Sequence, residues 1–192
     1  MRIPASRTAL LLFAFLLLPG MASADSVSLN VSSAASVPQG NNFTVDVNIS
    51  GVTDLYDFQF DLSFDPTILQ VTNITEGAFL PGSGATFFLP GFIDNSSGTI
   101  TFNADTLEAA IPGANSAGTL IEFSFDASSV GTSFLNLDNI ILQDSQGNLI
   151  SSSTTNGSVT VTSVTVPTPE PGTFAFLVVG FLVIVAFGVF RR

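Results

Sequence analysis

The 192-residue sequence contains no cysteine, no histidine, no tryptophan and no lysine. Its only cations are Arg2, Arg7, Arg191 and Arg192, which leaves residues 8–190 without a positive side chain. Each absence excludes something. Zinc sites of the Cys/His kind and nucleophiles activated by histidine have no residues to build them. Nucleic-acid binding rests on Lys and Arg neutralising phosphates, so a chain of formal net charge -11 with a cation-free interior is expected to bind no nucleic acid. Without cysteine, a fold in an oxidising compartment must be held by its core and not by disulfides.

What is present begins with two apolar ends. Residues 9–18 (ALLLFAFLLL) form an unbroken apolar run behind Arg2 and Arg7, too short to span a bilayer. Pro19 and Gly20 then break it, and Ala22 and Ala24 supply the small residues that signal peptidase requires. Residues 1–24 are therefore expected to be a secretory signal peptide cleaved before Asp25. At the other end, residues 174–190 are an uncharged apolar run followed at once by Arg191 and Arg192. At 1.5 Å per residue this run covers about 25 Å, slightly short of a hydrocarbon core of about 30 Å, and it is expected to span as a transmembrane helix with little tilt. The two arginines stop it in the membrane and stay cytoplasmic under the positive-inside rule, which puts residues 25–170 on the far side. The signal peptide predicts the same orientation.

Between domain and helix lies VPTPEPG at residues 166–172, where proline fixes φ and removes amide donors, so the segment is extended and exposed. Proline content alone predicts only a stiff spacer. The ordered set of Pro169, Glu170 and Pro171, a short apolar helix and terminal Arg191 and Arg192 resembles the PEP-CTERM sorting signal, over residues 167–192. That resemblance implies a Gram-negative bacterium that makes exopolysaccharide, and a membrane-embedded exosortase that recognises Pro-Glu-Pro and removes the tail. Glu170 is then a recognition residue. The domain is held at the inner membrane, facing the periplasm, until processing passes it to the cell surface or the medium.

Removing both ends leaves residues 25–166, the length of one domain. With Glu170 outside, fourteen of the fifteen acids lie in it against no cation. Apolar residues alternate with polar ones at Phe43, Val45, Val47 and Ile49, again at Phe58, Phe60, Leu62 and Phe64, and again at Ile121, Phe123 and Phe125. Period two predicts half-buried strands. Further strands are predicted at residues 27–31, 68–74, 85–89, 99–104, 134–142 and 158–164, with Gly, Pro, Asn and Asp turns between them. About nine strands at this spacing predict an all-β antiparallel sandwich. Most of the twelve phenylalanines in the segment fall at inward positions. Phe87, Phe88 and Phe92 are the exception, because adjacent strand residues point to opposite faces; Phe88 is taken as the aromatic able to meet an apolar or sugar ligand.

The stretch GVTDLYDFQFDLSFDPTILQVTNITEG at residues 51–77 resembles the signature of cohesin domains, with Asp65-Pro66, Leu69 and Val71 as its best-matched part. GTLIEFSFD at residues 118–126 and NGSVTV at residues 156–161 are similar to later strands of that family. The resemblance implies a nine-stranded jelly roll that holds dockerin modules or stays close to cellulose-binding modules. If this chain binds through the corresponding strand, Asp57, Gln59 and Asp61 are its contact candidates, although Asp57 and Gln59 are not the commonest residues there. A solvated polar face is the competing account of those three residues. Dockerin-like proteins and extracellular polysaccharide are the two partner classes implied. Absence of tryptophan and a single tyrosine, Tyr56, weigh against sugar binding, which relies on large exposed aromatics.

Catalysis would have to come from paired carboxylates, for which Asp54 with Asp57 and Asp105 with Glu108 are the neighbours in sequence, yet no glycosidase motif is present. The chain is therefore expected not to be an enzyme. Calcium is the cofactor that suits unpaired carboxylates, with Asp138 and Asp144 as candidate ligands. Their loop lacks EF-hand spacing, and a hairpin turn at residues 144–147 accounts for it more simply. Asn-x-Ser/Thr triplets at Asn30, Asn42, Asn48, Asn73, Asn95 and Asn156 follow from composition.

Overall fold

The computed structural model describes residues 27–164 and, beyond them, Leu177 alone. The expected signal peptide, sorting motif and transmembrane helix thus lie outside the described residues, among which no helix is long and apolar enough to cross a membrane. Eleven strands follow in order: β1 (Val27–Val31), β2 (Ala34–Pro38), β3 (Asn42–Ser63), β4 (Leu69–Glu76), β5 (Thr86–Leu89) and β6 (Phe92–Asp94), then β7 (Thr99–Leu107), β8 (Ala114–Ala127), β9 (Gly131–Asp144), β10 (Ser152–Thr155) and β11 (Gly157–Thr162).

The alternations starting at Phe43 and at Phe58 belong to one long strand. A strand has two edges, so no stretch of β3 can have more than two neighbours, yet it pairs with four. Residues 42–50 pair with β1 and β8, and residues 55–63 pair with β7 and β9. β3 therefore passes from one layer to the other, turning where Gly51 and Asp54 take φ of 69° and 62°. The first layer runs β10-β1-β3-β8-β4, and the second runs β7-β3-β9-β11-β2 with β5 and β6 on the outer edge of β7.

The chain ends cross between layers in the same way. β1 lies in the first layer and β2 in the second, and β10 and β11 divide likewise, joined at Asn156. At that corner Asn156 accepts from the Leu137 N–H and donates to Asn136, while Ser33 accepts from the Ser158 N–H. These end strands correct the antiparallel expectation at two places: β1 with β10 and β2 with β11 are parallel.

Between the layers, Phe58, Phe60, Phe123 and Phe125 are fully buried with Leu29, Ile49, Leu55, Leu62 and Leu69. Phe43 stacks on Phe125 at 5.7 Å, and Phe60 meets Phe123 edge-on at 6.4 Å. Such pairs add about 0.5–1.5 kcal/mol each beyond the area they bury. With no cation in the domain, the carboxylates of its turns are held by N–H and O–H donors. Asp65 accepts from Thr67, Asp94 from Ser96 and Ser97, and Asp144 from Gln146 and Asn148. These donors hold all three carboxyls below their usual range.

Candidate docking face

The outer surface of the second layer gathers most of the residues singled out for binding. Period two in β3 aims Asp57, Gln59 and Asp61 outward while Phe58, Phe60 and Leu62 enter the core. On one side β7 brings Thr106 and Ala104 opposite Asp57 and Gln59, and β5 adds Phe87 opposite Thr106 and Leu89 opposite Ala104. On the other side β9 places Gln143 and Ile141 opposite Asp57 and Gln59. Asp57, Gln59, Phe87, Leu89, Ile141 and Gln143 line a shallow depression of about 370 Å³. Partial burial among these groups raises the Asp57 carboxyl above its usual value.

Phe88 is not part of this face. It points inward and packs against the core, so its expected role in contact is corrected: Phe87 is the exposed member of the pair, at 55%. The adjacency of the two phenylalanines signalled that one must face out, and the register of β5 on β7 decides which. Leu89 and Ile141 are exposed apolar residues that sequence reasoning did not select.

Asp61 sits on the same strand but is engaged. Phe102 N–H donates to its Oδ1 at 2.7 Å and Asn139 Nδ2 to its Oδ2 at 2.6 Å. Both donors occupy left-handed backbone, φ 61° and 51°, where β7 and β9 bulge on either side of β3. Asp61 therefore fastens two bulges.

The other carboxylates are separated by the fold. Asp54 lies at the β3 corner, accepting from Ser145 Oγ at 2.8 Å and Gly113 N–H at 2.5 Å, and these bonds hold its carboxyl below the usual range. Asp57 faces the depression instead. Asp105 is 2% exposed, whereas Glu108 is exposed, so neither expected pair comes together. Burial, and then the neighbouring Glu76 carboxylate, push Asp105 up to about 7. Asp138 is exposed and Asp144 caps its hairpin, roughly 20 Å away along β9. Among the described residues no three or more acids gather as a metal-binding group.

Comparison with known proteins adds the family. Among solved structures, a non-cellulosomal cohesin from the archaeon Archaeoglobus fulgidus is 20% identical, covering 72% of this chain and 92% of its own, with a TM-score of 0.59. The cohesin CaCohA2 from Clostridium acetobutylicum is 22% identical, covering 72% of this chain and 92% of its own, with a TM-score of 0.57. A cohesin–dockerin complex from Clostridium thermocellum, Coh-OlpA with Doc918, gives 14% identity, 71% and 99% coverage and a TM-score of 0.61. These likenesses are of fold. No curated protein matches the chain. The family model for the cohesin domain matches residues 27–161, nearly all of the described fold, and the chain belongs to the cohesin domain family.

Proposed function

We propose that this is an exported, non-enzymatic surface protein whose cohesin domain docks a dockerin-like protein module on the face around Asp57, Gln59, Phe87, Leu89 and Ile141. The observation that carries this reading is a family match across the whole sandwich, together with an outer face where apolar side chains stand exposed around acidic ones. Exposed apolar groups rimmed by polar ones suit a protein partner. Asp61 contributes to it indirectly, by holding the bulges that flank β3.

The two apolar ends supply delivery. The signal peptide exports the chain, residues 174–190 hold it at the inner membrane, and an exosortase removes the tail at Pro169, Glu170 and Pro171. The mature domain then resides at the cell surface or in exopolysaccharide. Support comes from the order of these three parts in the sequence and from the agreement of both ends on one orientation.

The docking test is titration calorimetry with dockerin-type modules cloned from the same cell, in calcium. Binding is expected, and Phe87→Ala combined with Asp57→Ala is expected to weaken it at least 100-fold. A glycan-array signal lost in the same variant, with no dockerin-type module bound, would replace the protein partner by a polysaccharide. Delivery is tested by mass spectrometry of the protein from its host with and without the sorting enzyme. An intact C-terminus in both would refute processing.

A further inference from the structure

The gap between the layers beneath β5 holds charged groups that the docking face does not use. β7 bulges at Phe102, and its next inward positions are Asn103, Asp105 and Leu107. The Asp105 carboxylate makes no hydrogen bond of ordinary geometry among the described residues, and the Thr106 backbone N–H beside it only partly offsets the effect of burial. Its ladder neighbours are Phe58 of β3 and Phe88 of β5. The carboxyl within its reach is Glu76, at the end of β4 in the opposite layer. Glu76 is itself held from β5, where the Thr86 hydroxyl donates to its Oε1.

A buried ionised carboxylate requires a counter-charge. No side chain can supply one, since residues 8–190 contain no Lys, Arg or His. Nor do other acids compete for the position. β5 and residues 77–85 carry no titratable side chain. Asp57 and Asp61 of β3 lie on the outer face, Asp94 of β6 is occupied in its turn, and Glu108 and Glu122 are exposed. What remains is a proton from solution, and one proton satisfies two carboxyl groups.

We propose that Asp105 and Glu76 share a single proton, forming a pH-released clasp that fastens β4 of one layer to β5 and β7 of the other. Protonated Asp105 donates to the Glu76 carboxylate, which accepts from Thr86 as well. Removing the proton leaves two negative charges facing each other in the gap. The raised Asp105 carboxyl fits this arrangement, and the sign of its effect follows. Between an unfolded value near 3.8 and a folded value of about 7, the folded state holds the extra proton. The folding constant therefore falls with rising pH across that window, by up to about tenfold per pH unit. β5 also carries Phe87 and Leu89, yet the clasp stands whether or not that face docks anything.

The test uses the full chain in non-ionic detergent. Infrared spectra at about pH 6 are expected to show a protonated carboxylic acid that is lost in Asp105→Asn. Urea unfolding between about pH 4.5 and 7 is expected to show stability falling with pH in the native protein, nearly level in Asp105→Asn and less steep in Glu76→Gln. If neither variant folds, the native protein's acid band and slope still decide. Absence of the acid band, or native stability that is flat or rises over this range, would overturn the proposal. So would calcium chloride abolishing the band and raising stability at fixed pH, because a cation would then fill the gap.

Discussion

Asp61 illustrates how a residue chosen from sequence as a binding contact can serve the scaffold instead. Both its oxygens hold backbone or side-chain donors in left-handed segments of adjacent strands. Asp61→Ala is expected to free both bulges and cost about 1–3 kcal/mol, the sum for two hydrogen bonds at a partly exposed carboxylate; urea denaturation measures it. Asp54, Asp65, Asp94 and Asp144 act similarly in corners and turns, with carboxyls lowered chiefly by their hydrogen bonds. A lowered folded value contributes stability above the unfolded value of 3.8 that is lost as pH falls through the folded one. Acid titration followed by circular dichroism is therefore expected to show unfolding set in below about pH 4. Asp54→Asn, which keeps an acceptor but no charge, should make that limb less steep.

At the scale of elements, the turn of β3 between layers is the most constrained point. Gly113 packs there so closely that a Cβ would lie 2.5 Å from the backbone carbon of Asp54. Backbone cannot yield as a side-chain tip does, so Gly113→Ala is expected to destabilise by about 1–3 kcal/mol, read from thermal melts. The strands legible in sequence were those with sustained alternation, such as Phe43 to Ile49 and Phe58 to Phe64. That these two form a single strand was not legible, because the alternation is interrupted between Gly51 and Asp54. β2, β6 and β10 were missed for want of pattern: AASVP, the three residues FID and SSTT carry no period two. The bulge at Phe102 hid the Asp105–Glu76 pair. A period of two counted from Ile100 puts Phe102 and Ala104 inside, whereas the extra residue leaves Phe102 52% exposed and turns Asn103 and Asp105 inward. Of the candidate face, Asp57 and Gln59 were legible from parity, while Phe87, Leu89 and Ile141 required the register of neighbouring strands.

For the molecule as a whole, charge of one sign is the governing fact. Fourteen acids between residues 25 and 166 repel one another with no internal cation to offset them. Added salt is expected to raise the melting temperature at neutral pH, because screening shortens the Debye length from about 30 Å at 0.01 M to about 3 Å at 1 M. A melting temperature that falls with sodium chloride would contradict this. Any docking partner should be basic where it meets Asp57, so the same salt that steadies the domain is expected to weaken the complex, chiefly through its association rate.

The passage of β3 through both layers also bears on how the domain comes apart. Neither sheet can be peeled away while the other survives, because each would have to surrender half of its central strand. Melting is therefore expected to be all-or-none, with Tyr56 fluorescence and amide signals from β4 sharing one midpoint.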